Sequence, residues 1–210
     1  MAGRCVNRLG TSRVELHPLV NPPGKKRADC AVTLDGKRVF IEITWLGESQ
    51  KAAAAFGSGL PDIEHPGEDM DRIVEKLLGK VAPELNVNKS QLSATDPNVI
   101  IVYMTGAGSY KEAREEAFAA IHKHPERLRQ VIEKRNCRLK KPYPESELEK
   151  VVDAFSRISG ILVFRRFNDG DYLEPWLNKK ALSPLDATQL EEMRQFFMPK
   201  EVSHNSLKGK

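Results

Sequence analysis

The stretch Arg27-Ala-Asp-Cys-Ala-Val-Thr-Leu-Asp-Gly-Lys-Arg-Val-Phe-Ile-Glu-Ile-Thr44 reads as a tight β-hairpin. Asp35-Gly36 supplies its turn, because both central residues of a type I′ turn need positive φ. Leu34 then faces Lys37, every opposed pair sums to 71, and Asp29 stands opposite Glu42. The pleat agrees with this register. Cys30, Val32, Leu34, Val39, Ile41 and Ile43 fall on one apolar face. Asp29, Ala31, Thr33, Arg38, Phe40, Glu42 and Thr44 fall on the other. The two carboxylates are cross-strand neighbours with Cβ atoms roughly 5 Å apart. Like charges so placed are destabilising unless something stands between them. A divalent cation would do so, since hard cations take carboxylate oxygens. Solvation at the sheet edge, or neutralisation by Lys25, Lys26 or Arg27, is the other reading that the hairpin leaves open.

Outward from the hairpin, Val14–Val20 alternates like a strand that Pro18 confines to an edge or an end. Residues 46–70 are expected to form a long loop, acidic through Glu64, Glu68 and Asp69. Asp69 or Asp71 can cap a helix running to about Ala82, before Pro83. Its apolar stripe is Ile73, Val74, Leu77, Leu78 and Val81. Lys80 lies at the border of that stripe, nearer its centre than Lys76 or Arg72. It reads either as an ordinary snorkelling lysine or as an ammonium directed along the packed surface. Pro97–Met104 reads as a central strand buried on both faces, followed by a turn at Gly106–Gly108. Helices are expected at 109–122, 125–138 and 145–158, and a buried strand at Ile161–Phe164. Asn168–Gly170 turns the chain, Trp176–Pro184 reads as loop, and Pro184–Phe197 as the last helix.

The 210 residues suit one domain, with a core that does not depend on disulfides. Cys5, Cys30 and Cys137 are odd in number and widely spaced, which suggests a reducing, cytoplasmic setting and no structural zinc. No apolar run has membrane-spanning length, and Met1-Ala-Gly-Arg4 lacks the form of a signal peptide. The net charge of +4 permits an anionic partner without demanding one. Between Lys123 and Lys141 eight Lys or Arg stand against Glu126 and Glu133. That patch reads as phosphate-binding or as a solvated charged face.

A strand, a hairpin carrying an acidic pair, a helix with a border lysine, a buried strand and a helix follow one another. Asp-x12-Glu-x-Thr on that framework resembles the restriction-endonuclease-like, or PD-(D/E)XK, nuclease superfamily. Asp29 matches the aspartate of its second core strand and Glu42 the acidic residue of its third. The resemblance implies an α/β fold with a mixed central sheet flanked by helices. The core would span about 14–105 and the elaboration 106–200 of a single domain over 14–200. Residues 1–13 would form an arm and 201–210 a disordered tail. Two departures stand out. The family's lysine, two residues after the glutamate, is Thr44 here. Some members supply that amine from the following helix, and Lys80 is then the first candidate and Lys76 the second. The family's usual first helix is also missing from the short, polar residues 1–12. The chain would then be a fragment or a degenerate member, and a homodimer or larger complex would supply that helix or the specificity.

The resemblance implies Mg²⁺ or Mn²⁺ held by Asp29, Glu42 and the backbone carbonyl of Ile43. Asp29, Glu42 and Lys80 would be catalytic in phosphodiester hydrolysis. Arg27, Lys76, Arg127, Arg135 and Arg138 would hold nucleic acid, DNA in preference to RNA, with no membrane partner. The alternative is a degenerate module on the same fold that binds nucleic acid or a protein without cleavage.

Overall fold

The hairpin forms in the expected register. In the computed structural model, which describes residues 14–20, 27–46, 66–104, 110–123, 125–167 and 170–197, Asp35 and Gly36 adopt φ of 48° and 77°. Strand β2 (Cys30–Leu34) pairs antiparallel with β3 (Lys37–Leu46), from Leu34↔Lys37 to Cys30↔Ile41. The short β1 (Val14–Leu16) lies along the outer side of β2, with Val14 opposite Val32. Beyond Ile41, β3 outruns its hairpin partner and pairs only on its other side. There it meets β4 (Asn98–Met104) in parallel, with Glu42 opposite Ile100.

Helix α1 (Pro66–Val81) links these two parallel strands. It starts earlier than Asp69 or Asp71 would allow as caps. Pro66 opens it instead, and proline suits a first turn because its missing N–H would have no intrahelical acceptor there. Its stripe Ile73, Val74, Leu77, Leu78 and Val81 is buried as the spacing implies. Helices α2 (Tyr110–His122), α3 (Pro125–Asn136) and α4 (Glu145–Ala154) then lead to β5 (Ile158–Phe167), parallel to β4. Strand β6 (Gly170–Leu177) turns back antiparallel to β5, with Phe167 opposite Gly170. Trp176 and Leu177 therefore belong to a strand, not to the expected loop. Pro175 is tolerated because β6 is an edge strand. Helix α5 (Ala187–Phe197) begins three residues after Pro184. Asp186 Oδ1 accepts the Gln189 N–H at 2.7 Å and Gln189 Oε1 accepts the Asp186 N–H at 3.3 Å, a reciprocal cap that sets the start.

The result is α/β, a six-stranded mixed sheet in the order β1-β2-β3-β4-β5-β6 with helices on both faces. One face packs Ile100, Val102, Ile161 and Val163 against α1 to α4. The other packs Cys30, Val32, Ile41, Val99 and Leu162 against α5. Glu42 projects from the α1 face. The expected arm 1–13, tail 201–210, Lys25, Lys26, the turn at Gly106–Gly108 and the loop between Gly47 and His65 lie outside the described residues.

One polar node ties the lower ends of the parallel strands together. Asn98 is buried. Its Nδ2 reaches the carbonyls of Ser93, Asp96 and Arg157 at 2.9–3.0 Å, and its Oδ1 accepts the Ser93 N–H at 2.7 Å. Truncation strands several buried polar groups at once, each costing about 1–3 kcal/mol. Asn98→Ala is expected to lower unfolding free energy by about 3 kcal/mol in urea titration. A loss below the spread of a surface substitution would show that water replaces the amide.

Candidate active site

Asp29 and Glu42 are brought together by the end of the hairpin. Asp29 sits in the bend that leads into β2, just past the last opposed pair. There its side chain faces the unpaired flank of β3, and its Oδ2 accepts the Ile43 N–H at 2.7 Å. A strand residue directs its N–H and C=O to the same side. The Ile43 carbonyl therefore also faces the flank where Asp29 stands. Glu42 projects into the space under α1, with its side chain 2 % exposed against 40 % for Asp29.

Lys80, in the last turn of α1, closes the group. Its Nζ donates to Glu42 Oε2 at 2.6 Å and lies 3.9 Å from Asp29 Oδ2. The ammonium thus stands between the two carboxylates that the hairpin forces together. Of the two sequence readings of Lys80, the snorkelling lysine is set aside, since its head turns inward to an acidic partner. Arg27 does not join the pair; its guanidinium donates to the His17 carbonyl at 2.7 Å. Thr44 is half-buried, two residues beyond Glu42.

The electrostatics are uneven. Burial raises the Glu42 carboxyl from its ordinary 4.5 to about 7, against the lowering pull of the Lys80 hydrogen bond and charge. The Asp29 charge pushes the same way as burial. Glu42 Oε1 is buried and has no hydrogen-bond partner. An orphaned acceptor of this kind calls for a donor or a cation.

No known protein family, curated protein or solved structure matches this chain. The chemistry therefore rests on the donor set. Among the described residues no third His, Cys, Asp or Glu joins Asp29 and Glu42 to make a metal-binding cluster. Two carboxylates, one of them with its orphaned oxygen, and one outward carbonyl still suit a hard cation that keeps several waters, as Mg²⁺ does.

The expected nucleic-acid residues fare differently from one another. Arg127 pairs with Glu116 at 3.6 Å and Arg138 with Glu75 at 3.4 Å. Lys134 pairs with Asp71 at 2.6 Å, and Arg129 with Glu133, Glu145 and Glu149. Much of the basic run is thus matched by acids of α1, α2 and α4. Among the described residues Lys76 and Arg135 are not, and both line a cleft of about 300 Å³ with Arg72, Gly79 and Leu46. The sequence reading missed Arg72 and Leu46 there. The four-residue spacing of Arg72, Lys76 and Lys80 on α1 was the available signal. Among the described residues no helix is long and apolar enough to cross a membrane.

Proposed function

We propose that the protein is a metal-dependent nuclease that hydrolyses phosphodiester bonds on a restriction-endonuclease-like core. One observation carries the reading: Asp29, Glu42 and Lys80 converge from a bend, a strand and a helix, and a buried Glu42 oxygen is left without a partner. The antiparallel β1-β2-β3 meander, the α1 connection and the parallel β4 support the same core.

Asp29, Glu42 and the Ile43 carbonyl would hold Mg²⁺ or Mn²⁺. When bound, the cation supplies Lewis-acid polarisation of the phosphate and a more acidic water. The protein's own groups do the rest. Asp29, oriented by the Ile43 N–H, anchors the outer side of the site. Glu42 gives up its proton to present two anionic oxygens. Lys80, released from Glu42, keeps its ammonium beside the reacting phosphorus and stabilises the charge that develops there. Thr44 can hydrogen-bond a water but carries no charge, so that task falls to Lys80.

The test is cleavage of labelled single- and double-stranded DNA and RNA with Mg²⁺, Mn²⁺ or EDTA. Wild-type protein should cut only with the cation, and Asp29→Ala and Glu42→Ala should each stop it while keeping the wild-type circular dichroism spectrum. Cleavage that persists in folded Glu42→Ala would refute the assignment. Salt-sensitive binding without turnover in any metal would favour the non-cleaving module.

A further inference from the structure

We infer that the cleft beside α1 is a phosphate subsite for the strand being cut, about one nucleotide from the scissile phosphate; this rests on the nuclease reading above. The cleft touches both elements that carry the candidate site. Gly79 precedes Lys80 on α1, and Leu46 lies on β3 beyond Glu42. Its cations come from two helices, Lys76 and Arg72 from α1 and Arg135 from α3. Charge accounting within the cleft favours an anion. Its two acids are engaged outside it, Glu75 by Arg138 and Glu84 by Lys89. Lys76 and Arg135 have no ion-pair partner among the described residues, whereas neighbouring Lys134 and Arg138 do. Two uncompensated cations that converge from separate helices form a better phosphate site than a solvated charged face, where the charges would diverge.

The spacing sets the register. Lys76 precedes Lys80 by four residues, a rise of about 6 Å along the helix. Neighbouring phosphates of one strand lie about that far apart, because the backbone winds around the axis as it rises about 3.4 Å per nucleotide. A backbone with its scissile phosphate at Lys80 therefore brings a phosphate about one step away to Lys76 and Arg135.

The experiment uses full-length protein carrying Glu42→Gln, so that the probe is not consumed. Fluorescein-labelled single- and double-stranded oligonucleotides are titrated by anisotropy over a range of potassium chloride concentrations with Mg²⁺ present. Adding Lys76→Gln and Arg135→Gln should weaken binding and flatten the plot of log affinity against log salt. The slope should fall by about 0.7 for single strands or about 0.9 for duplex, one phosphate contact's worth. Lys134→Gln, whose lysine is matched by Asp71, is the control and should leave the slope in place. An unchanged slope in the double variant, with wild-type cleavage intact, would overturn the subsite alone. Failure of any oligonucleotide to bind, together with absent cleavage, would remove the nuclease reading and the subsite with it.

Discussion

Replacing Lys80 with methionine is expected to lower metal-dependent cleavage by about 10²- to 10³-fold, the usual loss when one preorganised charge is taken from a transition state. Methionine keeps much of the stem that packs along α1 and removes only the ammonium. The rate loss should come with a displaced pH profile. Lys80 lowers the Glu42 carboxyl through both its hydrogen bond and its charge. Without it, only the weaker backbone hydrogen bond at Asp29 opposes burial and the Asp29 charge, and the proton is held more tightly. At limiting Mg²⁺ the cation must displace that proton. The acidic limb of kcat/KM, which follows the free enzyme's ionisation, should therefore move to higher pH in Lys80→Met. A lysine that merely fills space would leave the limb where it is. Lys80→Arg, which restores the charge in a different shape, should return the limb toward wild type while recovering only part of the rate. Full activity with an unmoved limb in Lys80→Met would transfer the role to another cation, Lys76 first.

Most of this site was legible in the sequence because it is built on local geometry. A two-residue turn at Asp35-Gly36 fixes the register, and the register sets Asp29 against the flank of Glu42. Helical arithmetic put Lys80 at the border of an apolar stripe, from which its head reaches a strand residue. Tertiary facts were not legible. Asp71 and Glu75 lie 63 residues before Lys134 and Arg138, which they neutralise, so the run read as phosphate-binding or solvated and Arg138 as a nucleic-acid contact. Strand β6 was hidden by Pro175, which reads as a breaker unless the strand is known to lie at an edge. The depth of Glu42 was equally hidden. Alternation assigned it to a mixed face, and only the packing of α1 over that face excludes water from its carboxylate.

That depth has a measurable effect on stability. Below pH 4.5 Glu42 is protonated in both folded and unfolded chains and contributes no pH dependence. Between 4.5 and about 7 the unfolded chain releases this proton while the folded chain keeps it, so the folded state is progressively disfavoured as pH rises. Integrated over that window, the loss is about 3 kcal/mol, at 1.36 kcal/mol per pH unit. Glu42→Gln, which cannot ionise, should lack this slope. Urea titrations in EDTA should therefore show the variant gaining about 3 kcal/mol on wild type from below pH 4.5 to above 7. The difference between the two proteins isolates Glu42, because every other titrating group is common to both. Saturating Mg²⁺ should reverse the trend for wild type alone, since a cation that binds the ionised carboxylates stabilises the folded state more as the proton leaves. Parallel curves in EDTA would mean that Glu42 ionises like an exposed carboxylate. A slope in EDTA that Mg²⁺ and Mn²⁺ leave untouched would mean that the buried acid is retained for Lys80 and not for a metal. A site of this kind is least stable where its carboxylate is charged and empty, which is the condition in which it binds a cation most readily.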